Sequence, residues 1–258
     1  MPESIAECRG SGLVPRIMHQ SWKTDILPRK YKEWQKSIID LHSGWEYRLW
    51  TDAQNLRLVL DKFPWFLETY IGLPRNIQRA DAARYMYMYE YGGFYMDLDV
   101  EALRSHESLR PCGGILVPLM STDYKFEHNV PNAWMGSVPG HPFWIHMLEK
   151  IKTDLVSNSD AGAEALTGPA QEFNALNGFK AKYYQELYYG KVNYVEAGLI
   201  FPYDWHNNGG LADICSAQSP IFNTTHCHEK LHLDHRAYTI TYWSHAWDDE
   251  TSLANLHT

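Results

Sequence analysis

The sequence predicts an α/β fold, because short apolar strand patterns alternate with helix patterns along its first half. A strand pattern at residues 16–20 precedes a helix pattern at 29–42, and a strand pattern at 46–50 precedes a helix from Asp52 to about Lys62. Hydrophobic residues make up 45% of the 258 residues, which is enough for a sizeable core. We therefore expect one domain with elaborations rather than two domains.

The first strand is followed by an aromatic residue, Trp22. A residue just past the first strand of an α/β sheet lies at the carboxyl edge, where nucleotides bind. A tryptophan there could equally be a core residue, and the residues alone leave both interpretations open. Further along, Asp52 has the side chain of a helix N-cap, and residues 65–71 suggest a short aromatic helix or turn before Pro74.

The stretch from residue 77 to residue 100 combines a helix, a glycine pair and a strand. Gly92 and Gly93 end the helix, as expected just past a helix C-terminus, and residues 94–96 resemble a short buried strand. The helix carries polar residues three apart on one side, namely Gln78, Asp81 and Arg84. The pair Asp81 and Arg84 could form an i,i+3 salt bridge or a functional pair; we favour function because Arg84 interrupts an apolar face.

Asp97 and Asp99 follow the strand directly. Residues two apart on an extended chain share a face, so both carboxylates can point at one spot. Two such carboxylates repel each other unless a cation lies between them, and Mg²⁺ or Mn²⁺ prefers oxygen ligands of this kind. The alternative is a solvated acidic turn.

The second half of the chain continues the alternation. Residues 114–120 and 132–138 predict buried strands, and Pro142 lies where a helix tolerates proline, at the start of a helix over residues 143–156. Residues 167–169 open another helix through Ala175. The amides at that helix start could meet an anion or a sugar hydroxyl, or Thr167 could be a plain N-cap.

The last strand patterns lie at residues 192–197 and 237–243, and the second of them leads into His245 and Trp247. The four cysteines show no zinc spacing, and Cys215 and Cys227 could pair around a loop. A nearby cluster resembles a zinc site by composition, but its spacing matches no template. It consists of His226, Cys227, His228, His232 and His235.

Five segments together resemble the sugar-binding, Asp-x-Asp family of glycosyltransferases, which includes fungal Golgi mannosyltransferases, inositol-phosphoceramide mannosyltransferases and, more distantly, the clostridial glucosylating toxins. The segments are HQSWKT (19–24), IQRADAARY (77–85), YGGFYMDLDV (91–100), GHPFW (140–144) and TGP (167–169). The resemblance implies a GT-A fold, a Rossmann-like mixed sheet flanked by helices, and metal-dependent transfer from a nucleotide sugar with retention of configuration. It also implies a tail over residues 1–14 and one catalytic domain over residues 15–258.

The resemblance also assigns roles to particular residues. It implies catalytic roles for Asp81, Arg84, Asp97, Asp99 and Trp247. It implies a nucleotide-sugar site formed by His19, Gln20, Trp22, Asp81, Arg84, Asn132 and Trp247. In that site Trp22 stacks on the base and the Trp247 indole N–H donates to the diphosphate. Asn132 could instead be an ordinary capping or turn residue.

The implied cofactor is Mn²⁺ (or Mg²⁺), held by Asp97, Asp99 and a third ligand from the end of the chain. The toxin branch has a late acidic ligand that this chain lacks at the matching place. We assign the third ligand to His245, since an imidazole suits Mn²⁺.

The implied donor is a nucleotide sugar, with GDP-mannose favoured and UDP-sugars as the alternative, and the implied acceptor is a glycan or a sphingolipid-type molecule. A catalytically idle sugar-binding module and a metal phosphohydrolase remain alternatives from other classes. The net charge is −8, so the chain has no electrostatic footprint for nucleic acid. No apolar run long enough for a membrane span is present in the sequence.

The sequence leaves the cellular location open. Residues 1–15 lack the apolar core of a signal peptide, whereas relatives often carry an N-terminal membrane anchor. We expect the Golgi lumen if an anchor is missing from the given sequence or if the chain is otherwise targeted, and the cytoplasm if this is the complete native chain.

Overall fold

A computed structural model describes residues 12–183, 192–203, 210–232 and 236–244. Its strands are β1 Ile17–Ser21, β2 Glu46–Trp50, β3 Gly93–Met96, β4 Val100–Ala102, β5 Ile115–Pro118, β6 Trp134–Ser137, β7 Val192–Val195 and β8 Thr239–Thr241. Its α-helices are α1 Arg29–Leu41, α2 Asp52–Lys62, α3 Leu67–Gly72, α4 Asn76–Glu90, α5 Pro142–Ser157, α6 Ala163–Leu166, α7 Pro169–Tyr183, α8 Ala212–Cys215 and α9 Thr224–Leu231. The alternation of strands and helices predicted from the sequence is confirmed.

Six strands form one mixed sheet in the order β2-β1-β3-β6-β5-β7. Strand β1 lies between β2 and β3 and runs parallel to both, whereas β6 runs antiparallel to β3 and β5. Strand β7 completes the sheet parallel to β5. A second, two-stranded sheet pairs β4 with β8 in antiparallel register.

Strands β3 and β5 in the middle of the main sheet are buried on both faces, which explains why each is a continuous apolar run. Side chains of successive strand residues point to opposite faces. In β3, Phe94 and Met96 join one buried cluster, while Tyr95 joins the other. Helices α2, α4, α5 and α7 supply the cluster around Tyr95, so the sheet separates these two of the three buried clusters among the described residues.

The turn from α4 into β3 requires its two glycines. Gly92 and Gly93 have φ angles of 63° and 89°, in the region that favours glycine. A Cβ atom on Gly92 would lie 2.6 Å from the Ser137 carbonyl oxygen, and one on Gly93 would lie 2.6 Å from the Ile17 carbonyl oxygen. This close turn holds α4 against the strand that ends just before Asp97.

The carboxyl ends of β1, β2 and β3 meet at one edge of the sheet because these three strands are parallel. Trp22 follows β1, Thr51 follows β2 and Asp97 follows β3. The segment before β6 reaches the same edge, where the Asp97 N–H donates to the Ala133 carbonyl oxygen at 2.8 Å. This edge is where an α/β sheet binds its ligands.

Three local details differ from the sequence-based expectations. The N-cap of α2 is Thr51 rather than Asp52, because the Thr51 hydroxyl accepts from the Gln54 N–H and the Gln54 side chain accepts from the Thr51 N–H. Helix α7 extends to Tyr183 rather than ending near Ala175. Thr167 is not an N-cap: it ends α6, and its N–H donates to the Ala163 carbonyl oxygen.

Cys215 and Cys227 form a disulfide that joins α8 to α9. Cys227 is therefore not free to bind zinc, which rules it out of the histidine-rich cluster considered from the sequence. His235 of that cluster lies outside the described residues. Within the described parts of the chain, no helix is long and apolar enough to cross a membrane.

Candidate active site

A cavity of about 270 Å³ opens at the carboxyl edge of the sheet. Its walls come from the ends of β1 and β3, the start of α4, the segment before β6 and the corner between α6 and α7. Six residues that were predicted to bind a nucleotide sugar or a metal line this cavity, namely Trp22, Asp81, Arg84, Asp97, Asp99 and Asn132. Residues far apart in the sequence therefore converge on one site.

Asp81 lies on the floor of the cavity and is only 4% exposed. Asn132 Nδ2 donates to its Oδ1 at 3.0 Å, and the Thr167 hydroxyl donates to its Oδ2 at 2.8 Å. Burial raises the pKa of Asp81, whereas the charge of Arg84 and these two hydrogen bonds oppose the rise. The carboxylate is thus held in one orientation from both sides.

Arg84 lies one turn further along α4 and is also 4% exposed. Its Nη2 lies 3.2 Å from Asp81 Oδ1, and its Nη1 lies 3.1 Å from Asp97 Oδ1. The guanidinium stands over the ring of Tyr95, with Cζ 4.5 Å from the ring centroid. The i,i+3 salt bridge allowed by the sequence is formed, but it is buried and extends to a second carboxylate.

Asp97 is fixed by both its backbone and its side chain. The Tyr95 hydroxyl donates to Asp97 Oδ1 at 2.7 Å, and Gln20 Nε2 donates to the Asp97 carbonyl oxygen at 3.2 Å. Desolvation raises the pKa of Asp97, the charge of Arg84 lowers it and that of Asp99 raises it again. The negative charge of Asp99 therefore acts on Asp97 across the cavity.

Asp99 is held by the segment that follows β8. The Ser244 N–H donates to Asp99 Oδ2 at 2.6 Å, and the Tyr242 N–H donates to the Asp99 carbonyl oxygen at 3.1 Å. Trp243, between them, has a φ of 46°, which is rare for a residue with a side chain. Strained backbone conformations of this kind are concentrated at functional sites. The conformation of Trp243 turns the chain so that Ser244 faces Asp99.

The free oxygens of Asp97 and Asp99 fit a hard divalent cation. In the described part of the chain, Asp97 Oδ2 and Asp99 Oδ1 accept no hydrogen bond, so each carboxylate keeps one oxygen for a metal. Both side chains line the same cavity, and oxygen ligands suit Mg²⁺ and Mn²⁺. The described residues contain no group of three or more His, Cys, Asp or Glu side chains placed to hold a metal. A cation held by Asp97 and Asp99 would need further ligands. Water molecules could supply several of them, since Mg²⁺ usually keeps several waters.

Trp22 is half-buried at the end of β1. Its ring centroid lies 5.3 Å from that of Tyr31 at an angle of 60°, and the backbone N–H of Trp22 donates to the Trp50 carbonyl oxygen at 2.9 Å. The ring thus packs on the core on one side and lines the cavity on the other. One part of the Trp22 ring is therefore a core surface, and the other part is available at the cavity edge where nucleotides are expected.

His19 and Gln20 lie behind the cavity wall rather than in its lining. His19 is fully buried, with Nε2 donating to the Gly92 carbonyl oxygen and Nδ1 accepting from Trp50 Nε1. Gln20 is fully buried too, and its Oε1 accepts from the Tyr47 hydroxyl at 2.8 Å. The structure places them as supports of β1, β2 and the Asp97 backbone.

Sequence reasoning missed two tyrosines that complete the floor. The Tyr85 hydroxyl donates to the Thr167 carbonyl oxygen at 2.6 Å and accepts from Asn132 Nδ2 at 3.0 Å. Tyr95 supports both Arg84 and Asp97. Tyr95 shares a strand face with Asp97, two residues away, so the alternation itself was a usable signal.

The predicted third metal ligand, His245, and the predicted diphosphate contact, Trp247, both lie outside the described residues. Their roles remain predictions. Ser244, the last described residue, lines the cavity and donates its N–H to Asp99.

The fold is that of a glycosyltransferase of the GT-A type, as predicted. The solved structure of the PaToxG glycosyltransferase superimposes with a TM-score of 0.51 at 16% identity, covering 68% of this chain and 74% of that chain. At this identity the likeness concerns the fold alone.

The family resemblance drawn from the sequence is confirmed as well. Residues 28–113 match the family described as a glycosyltransferase sugar-binding region containing a DXD motif, and this region contains Asp81, Arg84, Asp97 and Asp99. Inositol phosphoceramide mannosyltransferase 2 of Schizosaccharomyces pombe is 38% identical over 157 residues, which is 60% of this chain and 43% of that protein. Mannosyl phosphorylinositol ceramide synthase SUR1 of Saccharomyces cerevisiae is 37% identical over 54% of this chain and 35% of that protein. The chain thus spans less than half the length of these two relatives.

Proposed function

We propose that this protein is a metal-dependent, retaining glycosyltransferase that moves mannose from GDP-mannose onto a glycan or glycolipid acceptor. The observation that carries the proposal is the ion-paired network of buried Asp81 and Arg84 with half-buried Asp97, in a cavity that also contains Asp99. Buried charges of both signs are costly to maintain, and such perturbed groups in a cleft mark functional sites. The names of the yeast relatives support mannose as the transferred sugar.

In this proposal the floor of the cavity binds the hexose. Asp81 and Asn132 offer oxygen and amide groups to sugar hydroxyls, and Arg84 keeps both carboxylates oriented. Binding energy from these contacts orients the anomeric carbon toward the acceptor. The half-buried face of Trp22 stacks on the nucleotide base.

The diphosphate lies at Asp97 and Asp99, which would hold Mn²⁺ or Mg²⁺ through their free oxygens. A divalent cation there neutralises the charge that develops on the leaving nucleoside diphosphate. The chain itself contributes the Tyr95 hydroxyl and the Ser244 N–H, which fix one oxygen of each carboxylate and so orient the other.

Retention is proposed to follow same-face attack rather than double displacement. A double displacement needs a nucleophilic carboxylate next to the anomeric carbon. The described acids on the cavity floor are engaged otherwise: Asp81 by Asn132 and Thr167, and Asp97 by Arg84 and Tyr95. The departing diphosphate can then take the proton of the acceptor hydroxyl on the same face of the sugar.

The proposed acceptor is a sphingolipid of the inositol phosphoceramide type, in line with the names of the relatives. The proposed location is the Golgi lumen, which rests on the family resemblance drawn from the sequence. Binding of nucleic acid is not part of the proposal.

A donor screen tests the proposal. The protein is incubated with Mn²⁺ and, in turn, GDP-mannose, UDP-glucose, UDP-galactose and UDP-GlcNAc, with and without inositol phosphoceramide. We expect release of GDP from GDP-mannose, stimulated by the acceptor. Binding of a donor without turnover would favour an idle sugar-binding module, and cleavage of p-nitrophenyl phosphate would favour a phosphohydrolase.

A further inference from the structure

One polar pair in the cavity wall is not used by the donor site proposed above. His128 Nδ1 lies 3.9 Å from Glu164 Oε2, and both residues line the cavity. Their side chains are 26% and 53% exposed, in contrast to the nearly buried Asp81 and Arg84. The pair therefore lies near the mouth of the cavity, above its floor.

His128 is held in place by the loop between β5 and β6. Asn129 closes this loop: it is 1% exposed, its Oδ1 accepts from the Ser121 N–H at 2.7 Å, and its N–H donates to the Phe126 carbonyl oxygen at 3.0 Å. The imidazole stacks on the ring of Phe126, with centroids 5.6 Å apart and an angle of 29°. The loop thus presents His128 to the cavity in an organised conformation.

Glu164 is held by the tight corner between α6 and α7. A Cβ atom on Gly168 would lie 2.9 Å from the Glu164 Cα, so only glycine permits this approach. The Thr167 hydroxyl lies 3.1 Å from the Ala163 carbonyl oxygen and 2.8 Å from Asp81 Oδ2. The helix that carries Glu164 is therefore tied directly to the floor of the cavity.

The donor, placed as proposed above, leaves this wall free. The base lies at Trp22, the diphosphate at Asp99 and the hexose at Asp81. The acceptor must reach the anomeric carbon of that hexose, and Glu164 follows Ala163, whose carbonyl oxygen lies 3.1 Å from the Thr167 hydroxyl that donates to Asp81. The wall with His128 and Glu164 therefore offers an approach for an acceptor.

We infer that His128 and Glu164 form the acceptor subsite and bind adjacent hydroxyl groups of a polyol ring, an inference that rests on the proposed glycosyl transfer. The 3.9 Å gap is too long for a direct hydrogen bond, and one hydroxyl oxygen about 2.8 Å from each atom bridges it. The carboxylate can accept from a neighbouring hydroxyl as well. The negative charge of Glu164 repels an anionic group, so a phosphate of the acceptor points away from this pair.

Transfer kinetics test this subsite. With GDP-mannose, Mn²⁺ and inositol phosphoceramide in detergent, we expect Glu164→Gln and His128→Asn each to raise the acceptor KM about tenfold or more, while the donor KM changes less than about threefold. Glu68→Gln is the matched control, because Glu68 is exposed on α3 and does not line the cavity. An unchanged acceptor KM in both variants, or an equal rise in the donor KM, overturns the inference.

A binding measurement separates this inference from the proposed function. The imidazole NMR signals of His128, assigned with the His128→Asn variant, are followed while myo-inositol is added to protein with GDP and Mg²⁺. We expect the signals to shift, and Glu164→Gln to weaken the apparent affinity. The absence of any shift up to the solubility of myo-inositol contradicts the subsite. A wild-type protein that releases no GDP in the donor screen would instead contradict the proposed transfer.

Discussion

Arg84 and Asp97 form an ion pair that joins a helix to the end of a strand, with Arg84 Nη1 3.1 Å from Asp97 Oδ1. The Arg84 side chain is 5% exposed and also pairs with Asp81. Because the guanidinium stands between two carboxylates, its removal leaves two negative charges facing each other in a poorly solvated site. The pair is therefore expected to matter for stability as well as for binding.

Arg84→Gln is expected to lower the free energy of unfolding by about 3–5 kcal/mol, the usual cost of leaving a buried charge without its partner. Urea denaturation followed by circular dichroism measures this change. Arg57→Gln is the control, since the Arg57 side chain is 74% exposed in its pair with Asp61 and such a pair contributes about 0–1 kcal/mol. Equal losses of unfolding free energy in the two variants would contradict the stabilising role of the Arg84 ion pairs.

Asp97→Asn and Asp99→Asn are each expected to lower kcat about a hundredfold or more, because a carboxylate that would hold the cation is neutralised. The rates are measured at saturating Mn²⁺ and below the melting temperature of each variant. Asp160→Asn, at an exposed turn outside the cavity, serves as the control. Near-wild-type rates in both active-site variants would rule out their metal role.

Trp22→Ala is expected to raise the donor KM more than it lowers kcat, because stacking on a base is the same in the ground and transition states. The loss should be about 1–3 kcal/mol of binding free energy. Trp65→Ala, at an exposed tryptophan outside the cavity, should leave the donor KM unchanged. If Trp22→Ala lowers only the melting temperature, Trp22 is a core residue.

Glu172 gives a prediction about pH. It is fully buried on α7, and neither carboxyl oxygen has a hydrogen-bond partner among the described residues. Burial raises the pKa of Glu172 from 4.5 to about 8, against the opposing charge of Arg84. The folded protein thus favours the protonated acid. The contribution of this preference to the free energy of unfolding is complete below pH 4.5 and is lost as the pH rises to about 8.

Glu172→Gln is therefore expected to gain stability over the wild type as the pH rises through that window, by up to about 1.4 kcal/mol per pH unit. The difference in unfolding free energy between the two proteins at pH 5 and pH 8 measures the effect. Glu68→Gln, at an exposed glutamate, should show no such pH-dependent gain. A constant difference for Glu172→Gln would mean that the carboxyl is already ionised at pH 5.

Local chemistry made the centre of the fold predictable. The glycine pair after α4 and the two aspartates after β3 are marked by residue type and by side-chain alternation, so the predicted helix, turn and strand agree with the structure within two residues. The N-cap error at Asp52 was avoidable, because Gln54 stands three residues after Thr51 and completes a capping box.

Contacts between distant segments were not predictable in the same way. Thr167 looked like the cap of the helix that follows it, but packing of α6 against α4 brings its hydroxyl to Asp81. The family resemblance implied that His19 is part of the nucleotide-sugar site. Strand β1 is flanked by β2 and β3, however, so its central residues are enclosed and His19 bonds to Gly92 and Trp50 instead. No local pattern encodes these partners.

Proton NMR of the reaction itself tests the central claim most directly. Mg²⁺ replaces paramagnetic Mn²⁺, and the anomeric signals of GDP-mannose and of the first-formed product are followed in the presence of inositol phosphoceramide. Because we propose same-face transfer, the account predicts that the GDP-mannose signal decays with wild-type protein but not with Asp99→Asn, and that the product carries an α-linked mannose. A β-linked product would contradict retention, and an unchanged GDP-mannose signal with the wild-type protein would contradict mannosyl transfer at this site.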